Sequence, residues 1–206
     1  MEPEKDAEDN HTQDTRRVFL VRHAESEQNV AAHRLAARGE ISALLSLLSI
    51  GFDSPLSGGG RLQLAQARAS SSSQFLQRHD IKLVAHSPYQ RARQTASGLF
   101  GSAGVPLIEL PFIYEKTLVE HVRPGQMDER IRSLCGWIDA RPERENIVVV
   151  GHGQFFKRLL GRDAVQANVS ALECTFSKGK GFSFVREHQL APLILPDAGA
   201  DAHERA

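Results

Sequence analysis

Apolar residues along the chain gather into short runs separated by polar stretches with helical spacing. The runs Arg17–Val21, Ile81–Ala85, Leu107–Leu110, Ile147–Val150 and Phe182–Val185 are strand candidates, short and rich in Val, Ile, Leu and Phe. Between them, Leu62, Ala65, Ala69, Phe75 and Leu76 fall near helical spacing after Ser57, and Ile131, Leu134 and Ile138 do so across about Asp128–Ala140. Strands alternating with helices imply βαβ units, hence an α/β fold of three layers with a mainly parallel central sheet flanked by helices. Ile41, Leu44, Leu45 and Leu48 stand at i, i+3, i+4 and i+7 before Gly51, which predicts a further helix over Glu40–Ile50. A surface helix packed on the core is the preferred reading there, and a lid over a neighbouring site is the competitor. Ser70–Ser73 reads as a polar helix face.

The ends of the chain lack this pattern. Residues 1–15 are polar and charged without periodicity and predict a disordered leader; residues 191–206, with Pro192, Pro196 and Gly199, predict a flexible tail. Residues 16–190 then form one domain, as a chain of 206 residues permits.

Composition narrows the function more than the fold. With 41% hydrophobic and 24% charged residues the chain has ordinary globular character, and 25 basic against 25 acidic side chains argue against nucleic acid as a partner. Cys135 and Cys174 are too few and too far apart for a disulfide framework or a metal knuckle. No stretch approaches a bilayer-spanning length, so no membrane association is expected and the cytoplasm is the expected location.

The chemistry stands where the apolar runs end. Arg22-His23 follows the first run, His86-Ser87-Pro88 with Arg91 follows the second, and Gly151-His152-Gly153 follows the fourth. Parallel strands bring such ends to one sheet edge, where open α/β sheets bind ligands. Two guanidinium forks suit phosphate oxygens, and helices starting near Gln90 and after Gly153 would add N–H groups and positive dipole ends. The expected ligand is therefore a phosphoryl group. Gln154, at the start of the second of these helices, is a further candidate contact. Gly58-Gly59-Gly60 lacks the Lys-Ser/Thr of a P-loop and reads as a turn into a helix capped by Ser57.

In these segments the chain resembles the histidine phosphatase superfamily, the phosphoglycerate mutase-like enzymes. The matching pieces are Arg22-His23-Ala24-Glu25-Ser26 with Asn29; Asp53-Ser54-Pro55-Leu56-Ser57 with Gly60 and Gln63; Ser87-Pro88 with Arg91-Ala92 and Gln94-Thr95-Ala96; and Val148-Val149-Val150-Gly151-His152-Gly153. The resemblance implies a phosphoglycerate mutase-like fold, with His23 as nucleophile, Arg22, Arg91 and His152 as the phosphate pocket, and Asn29 as a further phosphate contact. It also implies a glutamate acid from the loop after the third strand. Leu118-Val119-Glu120 with Gly125 fits that pattern, so Glu120 is preferred and Glu115 is the competitor. Ala24 departs from the usual glycine and would strain a backbone that required φ > 0.

The expected reaction is hydrolysis of a phosphomonoester through a phosphohistidine on His23. Arg22, Arg91 and a protonated His152 would stabilise the transferring oxygens, and a glutamate of raised pKa would protonate the leaving group. The substrate class is a phosphorylated small molecule or a phosphoprotein, with no cofactor. A His23/His152 metal pair is disfavoured by the arginines, so no metal is expected. A phosphomutase and a non-catalytic phosphate-binding module are the alternatives. His121, Arg93, Arg123, Lys116 and the remaining histidines are read as structural or solvent-facing, with Lys116 and Arg123 as candidates for a second anion of the substrate.

Overall fold

The computed structural model of the chain describes residues 15–38, 53–70, 72–116, 125–142 and 145–191. The predicted Glu40–Ile50 helix, residues 1–14 and 192–206 of the two chain ends, and Glu120, His121 and Arg123 lie outside the described residues, whereas Thr15 opens a strand and Ala191 is buried.

Strand β1 (Thr15–Arg22) is followed by helices α1 (Glu27–Arg38), α2 (Gly58–Ser70) and α3 (Ser72–Arg78). Then come β2 (Ile81–His86), α4 (Gln90–Phe100), β3 (Leu107–Glu109), α5 (Gly125–Asp139), β4 (Asn146–Gly151), α6 (Gly153–Leu160), β5 (Ser170–Ser177) and β6 (Gly181–Gln189). The six strands form one sheet in the order β3-β2-β4-β1-β5-β6. β1 to β4 run parallel, whereas β5 pairs antiparallel with β1 and β6 antiparallel with β5. The mainly parallel three-layer expectation holds, and β5 is an element that the apolar pattern did not reveal.

Alternation along the parallel strands gives the sheet two apolar faces. Phe19, Val21, Val84, Val148 and Val150 pack against Leu64, Phe75, Ala92, Ala96, Leu99 and Phe100 from α2, α3 and α4. Val18, Leu20, Leu83, Ala85, Ile147 and Val149 pack against Leu134, Ile138, Phe155 and Phe156 from α5 and α6. Parallel strands buried on both faces need continuous apolar runs, which is why these were legible.

β4 enters between β1 and β2, and this insertion brings residues distant in sequence to one edge. Arg22 is in register with Gly151, and His86 with Val150. Beyond the last pairs, the His23 N–H donates to the Gly151 carbonyl at 3.0 Å and the Ser87 N–H to the Val150 carbonyl at 3.0 Å. Three strands thus end level with one another.

Candidate active site

His23 leaves the end of β1 with both ring nitrogens engaged. Its Nδ1 lies 2.7 Å from the Ala24 carbonyl, and the Arg91 Nε–H donates to its Nε2 at 3.2 Å. A carbonyl only accepts and a guanidinium only donates, so the proton sits on Nδ1 and the Nε2 lone pair faces Arg91. His23 is buried, and that burial, together with the charges of Arg91 and Arg22, holds its pKa well below the usual histidine value.

His152 follows β4 at the N-terminus of α6, its ring 5.1 Å from that of His23. Its Nε2 lies 2.7 Å from Ser87 Oγ, while its buried Nδ1 has no hydrogen-bond partner. Burial first, then His23 and Arg91, drives its pKa well down. In the free protein that direction disfavours the imidazolium form on which a protonated His152 would depend.

The arginines are fixed from several directions. Arg91, on the first turn of α4, is buried and its guanidinium lies 4.9 Å from the Tyr89 ring centre. Arg22 Nη1 donates to the Gln166 carbonyl at 2.6 Å, while its buried Nε has no partner. Gly153 lets the chain pass against this side chain: a Cβ there would lie 3.2 Å from Arg22 Nε and collide with Val165. Burial lowers the pKa of both arginines, and the nearby Glu115 opposes that shift. Unpartnered buried polar atoms are rare in native proteins, and two of them, Arg22 Nε and His152 Nδ1, belong to this site.

Glu115 completes the cluster. Its carboxylate and one ring nitrogen each from His23 and His152 lie within 4.8 Å of one another. Burial raises its pKa; the Lys116 N–H, donating to Oε1 at 2.9 Å, and the charges of Arg91, Arg22 and Arg130 pull the other way. The loop that presents it is pinned on both sides. Ile113 is fully buried, and Arg130 of α5 donates to the carbonyls of Phe112 (3.2 Å) and Tyr114 (2.6 Å) with its guanidinium 3.8 Å above the Tyr114 ring. Two imidazoles and a carboxylate are also a donor set that could hold a cation. Here the adjoining guanidinium groups favour an anion instead.

Of the predicted site residues, Arg22, His23, Arg91 and His152 come together. Asn29 serves the local fold: its Oδ1 accepts from the N–H (3.2 Å) and hydroxyl (3.0 Å) of Ser26, closing the first turn of α1. Gln154 is exposed and lines a neighbouring groove. Glu120 lies outside the described residues, whereas its competitor Glu115 stands beside both histidines. Ala24 carries no left-handed strain, since Asp80 and Val169 are the described non-glycine residues with positive φ. Its N–H donates to Thr95 Oγ1 at 3.0 Å and its methyl is buried in the core.

Other motif residues hold the loops around the site. Ser57 caps α2 by accepting from the Gly60 N–H at 3.0 Å, and a Cβ at Gly60 would strike the Glu25 backbone. The Gln63 side chain accepts from the Glu25 N–H and that of Gln94 from the Leu56 N–H, both at 2.9 Å. Sequence reasoning missed the segment before β5. Asn168 Nδ2 donates to the His23 carbonyl at 2.7 Å, and Gln166 Nε2 donates to the carbonyls of Leu20 and Ser170, both at 3.0 Å. No motif marks these amides; their only signal is polar residues placed just before an apolar strand.

Among the described residues no helix is long and apolar enough to cross a membrane. No curated protein sequence matches the chain. Solved structures do. YhfR of Bacillus stearothermophilus superposes with a TM-score of 0.60 at 18% identity, over 82% of this chain and 95% of that one. A mycobacterial glucosyl-3-phosphoglycerate phosphatase gives 0.56 at 19% identity over 84% and 96%. The protein histidine phosphatase SixA, complexed with tungstate, gives 0.54 at 16% identity over 84% and 97%. At such identities the likeness is one of fold. The sequence profile of the histidine phosphatase superfamily (branch 1) matches residues 18–123, which include Arg22, His23, Arg91 and Glu115. Profile, fold and clustered histidines agree, and the chain belongs to the histidine phosphatase superfamily.

Proposed function

We propose that the protein is a phosphomonoesterase that works through a phosphohistidine on His23. The observation that carries this reading is the setting of His23: its Nε2 faces the Arg91 Nε–H, and one of its ring nitrogens lies within 4.8 Å of a carboxyl and a second imidazole, while burial pushes its pKa down. An entering phosphoryl group takes over the Arg91 Nε–H and meets the partnerless Arg22 Nε and His152 Nδ1. These groups stabilise the charge that spreads over the transferring oxygens.

The Nε2 lone pair attacks phosphorus and forms the N–P bond as the ester P–O bond breaks. The leaving oxygen takes the proton of Glu115, whose pKa burial pushes upward, in the direction that acid duty requires. In the second half the Glu115 carboxylate takes a proton from water, whose oxygen bonds phosphorus as the N–P bond breaks. Inorganic phosphate leaves, and His23 and protonated Glu115 are restored. Glu115 takes the acid role in place of Glu120 because its carboxyl stands within reach of both histidines. The phosphatases among the structural relatives support hydrolysis as the overall reaction.

The test is incubation of wild type and His23→Ala with an aryl phosphate, followed by trapping of the enzyme at denaturing alkaline pH. Phosphate release and an acid-labile phosphohistidine in wild type alone are expected. Equal release by both proteins overturns the reading. Phosphohistidine formation with return of the label to an alcohol rather than to water would mark a mutase, and binding without turnover a non-catalytic module.

A further inference from the structure

The peptide between His23 and Ala24 is gripped at both of its polar groups. Its carbonyl accepts from Asn168 Nδ2 at 2.7 Å, and its N–H donates to Thr95 Oγ1 at 3.0 Å. The Thr95 hydroxyl in turn donates to the Arg91 carbonyl at 2.6 Å, one helical turn back along α4. The next carbonyl, that of Ala24, receives the His23 Nδ1–H at 2.7 Å. The ring of the nucleophile is therefore oriented by a carbonyl one peptide beyond its own, and the direction of that carbonyl follows from the peptide that Asn168 and Thr95 hold.

The turn that presents Asn168 is strained. Val169, the next residue, is β-branched and fully buried and has a φ of 53°, a left-handed conformation that such side chains disfavour. Its surroundings impose it: the Val169 N–H donates to the Arg22 carbonyl and the Leu190 N–H donates to the Val169 carbonyl, both at 3.1 Å. Gln166, at the other end of the turn, accepts from Arg22 Nη1 at 2.6 Å and donates through Nε2 to the Leu20 and Ser170 carbonyls, both at 3.0 Å. The carbonyls of Leu20, Arg22 and His23 and the Arg22 guanidinium are thus all held from residues 166–169. Strain that neighbours impose beside a reacting centre points to the geometry of that centre.

We propose that Asn168 is a positioning residue for phosphoryl transfer: by fixing the His23–Ala24 peptide it keeps the His23 proton on Nδ1 and aims the Nε2 lone pair at phosphorus. Without its bond the peptide turns, the Ala24 carbonyl leaves Nδ1, and the proton redistributes between the two ring nitrogens. This inference rests on the phosphomonoesterase reading, in which His23 is the nucleophile. It extends that site to a side chain 145 residues away in sequence.

The experiment compares wild type, Asn168→Ala and Asn168→Asp on one alkyl phosphate, with inorganic phosphate as competitive inhibitor. Asn168→Ala should lower kcat by about 10- to 100-fold while KM and the inhibition constant of phosphate stay within about twofold, because a misplaced nucleophile impairs transfer while Arg91 and His152 still meet phosphate. Asn168→Asp is nearly isosteric; its carboxylate cannot donate, but its protonated form donates to a carbonyl. Its kcat relative to wild type should therefore climb as pH falls below about 5, whereas the ratio for Asn168→Ala should stay flat. Nitrogen-15 spectra of histidine-labelled protein, with the His23 signals identified by their loss in His23→Ala, should show the Nδ1–H tautomer in wild type and a mixture in Asn168→Ala. An unchanged kcat or an unchanged tautomer in Asn168→Ala overturns the proposal, as does a loss carried by phosphate affinity or an Asn168→Asp ratio indifferent to pH. Should Asn168→Ala fail to fold, the acid-side recovery of Asn168→Asp and its His23 spectra decide in the same way. If wild type turns over no phosphomonoester, the parent reading fails by itself, and the tautomer comparison alone upholds or overturns the hold of Asn168 on His23.

Discussion

Among the described residues two pairs of histidines meet edge to face, alike in geometry and opposite in chemistry. His23 and His152 face each other edge to face at 5.1 Å; His79 and His188 do the same at 5.3 Å on the α3 side of the sheet. Around the second pair the polar contacts run to one carboxylate and the arginines beside it. His188 Nε2 lies 2.8 Å from Glu173 Oε2, Arg186 Nε donates to the same oxygen at 2.7 Å, His79 Nδ1 lies 3.4 Å from Arg17, and Phe19 and Phe75 pack on both rings. Burial pushes Glu173 up, but the bonds from Arg186 and His188 outweigh it and hold the carboxyl below its usual range. Around the first pair the Arg91 Nε–H faces His23 beside the Glu115 carboxyl, and His152 Nδ1 and Arg22 Nε have no hydrogen-bond partner. The second pair is thus structural, because its carboxylate is tied up by arginine and histidine, whereas the first leaves buried donors of Arg22 and His152 open to an anion.

The largest expected effect comes from removing one member of each pair. His23→Ala should lower kcat/KM by on the order of 10⁴-fold or more, because no other group supplies the nucleophile. His79→Ala should leave kcat/KM within about twofold, because its network touches no reacting atom, and should instead lower the unfolding midpoint. Steady-state kinetics and thermal melts on both variants check this. Comparable losses of activity would break the distinction between the pairs.

Next in size is the acid. Glu115→Gln should cost about 10²- to 10⁴-fold on an alkyl phosphate, whose leaving oxygen needs a proton, and much less on a p-nitrophenyl ester. Glu120→Gln should change neither by more than about twofold if Glu115 holds the role. Because burial raises the Glu115 pKa, the wild-type rate on the alkyl ester should fall as pH rises through that value. The Gln variant should lack that limb. A larger loss in Glu120→Gln would return the role to that residue.

What could be read from the sequence divides along the same line. Strand ends with attached histidines were legible because β1, β2 and β4 are buried on both faces and demand unbroken apolar runs. β5 was not, because the buried Glu173 interrupts its apolar pattern and is held by Arg186 and His188 on β6 and Arg17 on β1. The Leu118-Val119-Glu120 context favours Glu120 over Glu115 in the sequence, and Glu120 lies outside the described residues. What presents Glu115 is Arg130 holding the Phe112 and Tyr114 carbonyls from another helix, a contact without local signature. Asn168 and Gln166 act on backbone carbonyls of β1 and the residue after it, from a segment more than 140 residues away, so their roles too arise only in the fold.

The structural pair makes its own prediction, smaller than the catalytic ones. Glu173→Ala removes the acceptor that His188 and Arg186 share in a buried position, and should cost about 2 kcal/mol of folding stability. Activity at the opposite cluster should persist at temperatures below the lowered midpoint. Denaturant unfolding with kinetics on the same sample tests both parts. A stability change within error would mean that the network is incidental rather than the device that neutralises the second pair.

The smallest effect is a pH dependence of folding that only the first pair should generate in full. His23 and His152 are held neutral in the folded protein, whereas in the unfolded chain each takes up a proton near pH 6.5. Below that value the unfolded state binds more protons, so stability falls as pH drops. Between pH 7.5 and pH 6 the loss should be about 1 kcal/mol for each histidine whose folded pKa lies far below the unfolded one. His23→Ala should remove one such share from the slope of unfolding free energy against pH. His79→Ala should remove less, since burial lowers the His79 pKa while the neighbouring Glu173 charge opposes that shift. Wild type and His23→Ala with identical slopes would show that His23 takes up its proton in the folded protein as readily as in the unfolded chain, leaving no neutral nucleophile held ready by burial.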